Sequence, residues 1–144
     1  TTSKFERKQL IEKAFLKNIE EIKKFGHEII LIYPVPEMAF NVPRKIYNDI
    51  LIEKNQNIRI FSSSYDVFKE RNKEIFKLFD KVSSNKLHRV YPHTHFCNKL
   101  IKNRCVANSE KEIYYWDDDH LSLQGSRLVV KDIINKINLM KDNK

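Results

Sequence analysis

The chain has 144 residues, of which 41% are hydrophobic and 32% are charged, and this balance is typical of one soluble globular domain with a modest core. The formal net charge of +8 would suit a nucleic-acid-binding protein, but basic and acidic residues alternate along helical faces and no recognition motif is present, so we predict no nucleic-acid partner. The two glycines, Gly26 and Gly125, are too few for glycine-rich phosphate-binding loops, which excludes the common nucleotide-binding motifs.

The N-terminal sequence lacks the apolar segment of a signal peptide and does not begin with methionine. The longest apolar run, residues 29–35, is too short to cross a bilayer and contains a proline. We therefore expect the chain to begin inside a longer protein, with any export signal or membrane anchor upstream.

The first predicted element is an amphipathic helix over about residues 4–25, with Gly26 as its C-cap. Residues 27–36, "HEIILIYPVP", then predict a buried strand that Pro34 and Pro36 terminate. A helix that leads into a continuous apolar strand is typical of a parallel sheet covered by helices. The predicted inward face of the helix consists of Leu10, Ile11, Ala14, Phe15, Ile19, Ile22 and Phe25.

Two further helices are predicted in the middle of the chain. Residues 43–57 form the second, because Pro43 suits a first helical turn, and residues 57–61, "NIRIF", predict a short strand after it. Residues 62–85 form the third, with Ser62, Ser63 and Ser64 interpreted as caps rather than nucleophiles. Its periodic positions are Val67, Phe68, Arg71, Ile75, Leu78, Phe79 and Val82, and Asp66 lies in its first turn.

The last third of the chain contains one strand, a long irregular stretch and a final helix. Residues 87–91 are the strand candidate, residues 92–112 are predicted to be irregular, and an amphipathic helix follows Ser122 as its N-cap. Its inward positions are Leu128, Val129, Ile133, Ile134 and Ile137. Because two confident strands make a poor sheet, we expect the chain to be part of a larger α/β fold.

Three aspartates precede a histidine in "YYWDDDHLSLQG", residues 114–125. A turn would bring Asp117 next to His120, where the carboxylate can accept the Nδ1–H bond and leave Nε2 free as a general base. Asp118 and Asp119 suit the N-terminus of the following helix. On spacing alone, an acidic helix cap beside an uninvolved histidine is the simpler interpretation, because Asp-x-x-His is short and common.

Two cysteines, Cys97 and Cys105, lie eight positions apart, and the spacing leaves open whether they are free thiols or one disulfide worth about 2–3 kcal/mol. His93 and His95 alternate with Cys97, so a zinc site completed by Cys105 is a further, less favoured hypothesis.

The block "YYWDDDHLSLQGSRLVV", residues 114–130, is similar to the last sequence block of the SGNH hydrolases. More narrowly, it resembles the SGNH domain found at the C-terminus of membrane-bound O-acyltransferases that acetylate bacterial surface polysaccharides. "EIILIYPVPE" resembles that domain's strand with a Pro-x-Pro-Glu turn, and the cysteine pair lies upstream of the Asp-His block as it does there. The resemblance runs from about His27 to the end of the chain.

The resemblance implies the C-terminal portion of an SGNH-like, flavodoxin-like three-layer α/β/α fold with a parallel sheet, with residues 1–144 as a single partial domain. It implies that His120 is the general base, that Asp117 orients it, and that Cys97 and Cys105 form a disulfide, which leaves no cysteine for zinc. No metal or cofactor is expected. The family's Gly-Asp-Ser nucleophile block and oxyanion-donor blocks do not occur in this sequence, so the serine is expected upstream.

The implied function is acyl transfer through a serine, with O-acetylated surface polysaccharide or its precursor as substrate and an upstream membrane acyltransferase domain as partner. This places the domain at the extracytoplasmic face of the bacterial inner membrane, and this chain alone is expected to be inactive. The alternative is a non-catalytic carbohydrate-binding or interaction module that keeps the Asp-His turn as structure. A basic protein that binds anionic polymers is a third hypothesis, and an exposed sheet edge would favour self-association.

Two residues near the predicted site allow two interpretations each. Glu37 either lines the cleft at the carboxyl end of the first strand or caps a helix, and we favour the cap. Trp116 either forms a wall or sugar-stacking platform of the site or is a buried anchor under the loop.

Overall fold

A computed structural model of the chain describes residues 3–52, 54 and 58–142. Within them the helices are α1 (Lys4–Lys24), α2 (Val42–Leu51), α3 (Tyr65–Asp80), α4 (His93–Phe96) and α5 (Leu123–Asp142). The strands are β1 (Ile29–Ile32), β2 (Ser62–Ser64), β3 (Leu87–Val90) and β4 (Arg104–Val106).

Strands β1 and β3 pair in parallel, with Ile29 opposite Leu87 and Ile32 opposite Val90. Side chains alternate between the two faces of this sheet. On one face, Ile29, Leu31 and Tyr33 pack with residues of α1 and α3, whereas on the other face Ile30 and Val90 pack with α5. The prediction of an α/β fold with a parallel sheet between helical layers is therefore confirmed.

A second, antiparallel sheet joins β2 to β4, with Ser62 opposite Val106 and Ser64 opposite Arg104. It belongs to a separate core around the segment that follows β1. The buried members of that core are Met38, Val42, Ile46, Phe68, Cys97, Cys105, Ala107 and Tyr115. This core supports the loop that carries the Asp-x-x-His sequence.

Helix α1 begins and ends where the sequence predicts, and α5 begins where it predicts. A capping box between Ser3 and Glu6 begins α1, and Gly26 follows its end with a φ of +74°, which glycine adopts without strain. Ser122 is the predicted cap of α5, because its Oγ accepts the Gly125 N–H at 3.2 Å.

The prediction of a short strand at residues 57–61 is wrong for residues 58–61, which are not a strand. Asn57 lies outside the described residues. The strand lies at Ser62–Ser64 instead, so that of the three serines only Ser64 caps α3, accepting the Val67 N–H at 3.3 Å. The Arg104 guanidinium bonds both the hydroxyl and the carbonyl of Ser62. A tertiary pairing therefore overrides the local capping preference.

Other boundaries also differ from the prediction, among them the end of the third helix, which is predicted at residue 85 and lies at Asp80. Residues 92–112 are not wholly irregular, because they contain α4 and β4, which are too short to show a periodicity in sequence. Helix α2 ends at Leu51, and residues 53 and 55–57 of the predicted helix lie outside the described residues.

The predicted apolar face of α1 is only partly buried. Ile19 is buried and Phe15 half-buried, but other members of that face are exposed, and apolar side chains of β1 and α5 are exposed as well. A two-stranded sheet is too narrow to cover the helices on its faces. The exposed large apolar residues on these three elements and at the C-cap of α1 are Phe5, Leu10, Ile11, Ile22, Phe25, Ile32, Leu123, Val130, Ile134, Ile137 and Leu139.

We expect Gly125→Ala to destabilise the domain. Gly125 is buried in the first turn of α5, and a Cβ there would lie 2.2 Å from the carbonyl oxygen of Tyr114, a backbone atom. Overpacking of this kind costs about 1–3 kcal/mol of unfolding free energy, which urea denaturation measures. Gly26→Asn is the control, because asparagine tolerates the left-handed conformation and no atom crowds that position. An unchanged midpoint for Gly125→Ala would contradict the contact.

Candidate active site at the Asp-His loop

The loop that contains Asp117 and His120 is a tight hairpin. Tyr115 and Leu121 pair as an isolated antiparallel bridge, and the Trp116 N–H donates to the His120 carbonyl at 2.8 Å. Within the turn, Asp117 Oδ1 accepts the backbone N–H groups of Asp119 at 3.0 Å and of His120 at 2.8 Å. This is an Asx-type turn, and it explains why an aspartate at position 117 brings residue 120 back beside it.

The segment that follows β1 holds this hairpin in place. The Met38 N–H donates to the Asp118 carbonyl at 2.7 Å, and the Val42 N–H donates to the Asp117 carbonyl at 3.0 Å. The buried Tyr115 hydroxyl donates to the Pro36 carbonyl at 2.8 Å. The loop is thus fixed beyond the carboxyl end of a parallel strand, the edge at which open α/β sheets bind ligands.

Asp117 and His120 form the pair that the sequence predicts. The distance from His120 Nδ1 to Asp117 Oδ2 is 2.9 Å, and the His120 side chain is 75% exposed whereas that of Asp117 is 29% exposed. Because the carboxylate occupies Nδ1, the neutral imidazole carries its proton there, and Nε2 is left as an accessible proton acceptor.

A second carboxylate also contacts the ring. Asp119 Oδ1 lies 2.9 Å from His120 Nδ1, the same distance as Asp117 Oδ2. Asp117 is the better fixed of the two, because its other oxygen holds two backbone N–H groups whereas the Asp119 side chain is 53% exposed. We therefore assign the main orienting contact to Asp117.

The electrostatics of the pair follow from these bonds. The backbone N–H groups of His120 and Asp119 hold the pKa of Asp117 well below its usual range. The bond to Asp117, together with the negative charge of the neighbouring aspartates, raises the pKa of His120 above its ordinary value of 6.5. Asp117 therefore stays ionised, and the imidazole is a stronger base than a free histidine.

Cys97 and Cys105 form a disulfide, as the resemblance implies. Both are buried and pack in the core that contains Met38 and Tyr115, so the disulfide braces the structure under the Asp-His hairpin. The hypothesis of a zinc site at these cysteines is wrong for the disulfide-bonded protein, because neither cysteine is a free thiol.

The histidines of that discarded zinc set have other neighbours. His95 Nε2 bonds Asp132 at 2.7 Å, while the ring of His93 stacks against Tyr65. Burial lowers the pKa of His93. A different trio, Asp117, Asp119 and His120, brings three ligand atoms within 4.8 Å of one another, which is a spacing that a divalent ion can use.

The two ambiguous residues are now placed. Glu37 does not cap α2, since Asn41 Oδ1 accepts the Arg44 N–H at 3.0 Å, and Glu37 instead pairs with Arg71 at 2.7 Å. Both line a cavity of about 260 Å³ with the β2 serines, so the cap interpretation was wrong. Trp116 is 76% exposed, which rules out the buried-anchor interpretation, and Tyr115 is the anchor instead.

The positions of Met38 and Val42 were not predicted as part of the site. They act through backbone N–H groups, which leave no signature in the sequence. The Pro-x-Pro sequence is the one sequence feature that could have indicated that this segment contacts the site, because Pro36 supplies the carbonyl that accepts the Tyr115 hydroxyl.

Comparisons with known proteins identify one family. A family model described as "SGNH domain (fused to AT3 domains)" matches residues 1–135, a range that includes Asp117 and His120. No curated protein and no solved structure matches the chain. None of the helices in the described residues has the length and apolar character to span a bilayer.

Proposed function

The chain belongs to the family of SGNH domains fused to AT3 acyltransferase domains, and on that premise we propose that it supplies the base and the orienting acid of a serine O-acetyl ester hydrolase or O-acyltransferase. The observation that carries the proposal is the 2.9 Å bond from Asp117 to His120 Nδ1 in a ring that is exposed beyond the carboxyl end of β1. His120 is the proposed general base, and Asp117 is its positioning residue.

The chemistry proceeds in two steps. His120 Nε2 takes the proton of a serine hydroxyl while the serine oxygen attacks an acetyl carbonyl, and the imidazolium then returns that proton to the departing sugar oxygen. The acetyl-serine is resolved by water, which gives hydrolysis, or by a sugar hydroxyl, which gives transfer. Asp117 remains ionised throughout and stabilises the imidazolium.

We propose that the nucleophile lies upstream of this chain, in a segment that belongs to the same domain. No Gly-Asp-Ser sequence occurs here, and the Ser122 hydroxyl beside the hairpin is occupied by the Ile113 carbonyl and the Gly125 N–H. The exposed apolar residues on α1, β1 and α5 are consistent with further strands packing there. Residues 1–144 would then be the C-terminal part of the domain.

The proposed substrate is O-acetylated cell-envelope carbohydrate or its precursor, and the proposed setting is the extracytoplasmic face of the inner membrane beside the acyltransferase domain. The family supports the acyltransferase partner. The buried disulfide supports an oxidising compartment, where such bonds persist.

The test compares two proteins with an aryl acetate as substrate. The chain extended upstream through its Gly-Asp-Ser segment should turn the ester over, and a fluorophosphonate should label a serine in the added segment, identified by mass spectrometry. The 144-residue chain should show no turnover. Steady turnover by that chain, lost in His120→Ala, would place the nucleophile inside it. An extended protein without activity would favour a carbohydrate-binding module.

A further inference from the structure

Trp116 is an exposed aromatic side chain at the edge of the proposed site. It is the only tryptophan in the chain, and its side chain is among the most exposed of the large apolar ones. In the hairpin it lies opposite His120, since the Trp116 N–H donates to the His120 carbonyl one position beyond the bridge between Tyr115 and Leu121.

This pairing fixes the side on which the indole lies. Side chains alternate along an extended segment, and residues directly opposite each other project from the same face. Tyr115 is buried in the core, so its neighbour Trp116 projects away from the core, on the face of the hairpin shared with His120.

The loop that presents the indole is held by backbone bonds before any ligand arrives. The Met38 and Val42 N–H groups hold the carbonyls of Asp118 and Asp117, at 2.7 and 3.0 Å. A rigid aromatic platform loses little conformational entropy on binding. Such a platform favours a flat ligand with an apolar face and a polar edge.

The sequence around Trp116 is acidic although the chain as a whole is basic. No lysine or arginine occurs between Lys111 and Arg127, whereas Asp118 and Asp119 lie in the same hairpin, between Asp117 and His120, and are exposed. Their carboxylates can accept bonds from hydroxyl or ammonium donors, but they repel a ligand carboxylate.

We propose that Trp116 is the stacking platform for a sugar ring of the glycan substrate, and that Asp118 and Asp119 make this subsite selective for neutral or amino sugars over uronic acids. The inference rests on the proposed function for the nature of the ligand. The C–H face of the ring lies on the indole, and its hydroxyl or amino groups bond the two carboxylates. Discrimination against acidic sugars is electrostatic and should weaken in high salt.

Because Trp116 is the only tryptophan, its fluorescence reports directly on the subsite. We would titrate the 144-residue chain with a tetrasaccharide of N-acetylglucosamine and, in parallel, with a tetrasaccharide of galacturonic acid. The N-acetylglucosamine tetrasaccharide should change the tryptophan emission saturably. At low salt it should bind more tightly than the galacturonic acid tetrasaccharide. The double variant Asp118→Asn, Asp119→Asn should show a smaller difference in affinity between the two tetrasaccharides.

Calorimetry extends the test to variants without the fluorophore. Trp116→Ala should weaken binding of the neutral tetrasaccharide about tenfold or more, which corresponds to about 1.4 kcal/mol, and Trp116→Phe should recover most of the affinity. Phe25→Ala is the matched control, because Phe25, the C-cap residue of α1, is an equally exposed aromatic residue and its loss should not affect binding. Circular dichroism of each variant verifies that it is folded.

Unchanged binding in folded Trp116→Ala, or tighter binding of the galacturonate by the native chain, would overturn the inference. The titration requires no turnover, so its result is independent of the esterase test. Binding through Trp116 without esterase activity in the extended protein would refute the serine mechanism but keep the subsite. Esterase activity with no Trp116-dependent binding would refute the subsite alone.

Discussion

Replacing His120 with alanine in the upstream-extended protein should lower kcat for acetyl-ester hydrolysis by about five to six orders of magnitude. Losses of this size follow removal of the histidine of a serine triad, because the serine hydroxyl then has no proton acceptor. His120 is 75% exposed, and its side chain bonds Asp117 and Asp119 of its own loop, so the variant should unfold at the same urea concentration as the native protein.

The control for this experiment is His95→Ala. His95 also pairs with a carboxylate, since its Nε2 lies 2.7 Å from Asp132, but it is on α4 and outside the proposed site. The control should therefore retain full activity. A loss of less than tenfold in His120→Ala would show that another group acts as the base.

Asp117→Asn should lower kcat by about four orders of magnitude and move the acidic limb of the pH profile to lower pH. The rate loss follows because an amide no longer enforces the Nδ1–H tautomer or stabilises the imidazolium. The pH effect has a definite sign. Asp117 raises the pKa of His120, so removing its charge lets the base stay neutral in more acidic solution.

The substitution tests the charge rather than the fold, because the asparagine oxygen can still accept the N–H groups of residues 119 and 120. Asp119→Asn is the matched comparison and should have the smaller effect. If Asp119 partly replaces Asp117, the double variant should lose more activity than either single one. An acidic limb that does not move in Asp117→Asn would show that His120 is not the titrating base.

The parts of the fold that were predicted are those with a pattern in the local sequence, and they include the short elements α2 and β3. Helices α1, α3 and α5 each exceed fifteen residues, and β1 is a continuous apolar run between clear terminators. Strands β2 and β4 have three residues each and pair across about 40 positions, so no local pattern could reveal them.

Of the candidate site, the sequence likewise predicted only the contact between residues that are close together in the chain. The i, i+3 spacing allows Asp117 to lie beside His120 in one turn, as the structure has them. On spacing alone an uninvolved histidine was the simpler interpretation, and the resemblance to the SGNH domain decided for the pair. The orientation of Trp116 was not predictable, because Tyr114, Tyr115 and Trp116 are three consecutive aromatic residues and only the bridge to Leu121 decides which of them is buried. The second carboxylate on the ring, Asp119, likewise depends on the path of the turn.

The central claim is that Asp117 holds Nδ1–H of His120 and leaves Nε2 as an exposed base. The most direct test is nitrogen NMR of the histidine rings in the 144-residue chain across a pH titration, with His120 assigned by substitution. We predict a neutral His120 that carries its proton on Nδ1, with a pKa above 6.5 that falls in Asp117→Asn. A ring protonated on Nε2 when neutral, or a pKa that Asp117→Asn leaves unchanged, would contradict the claim.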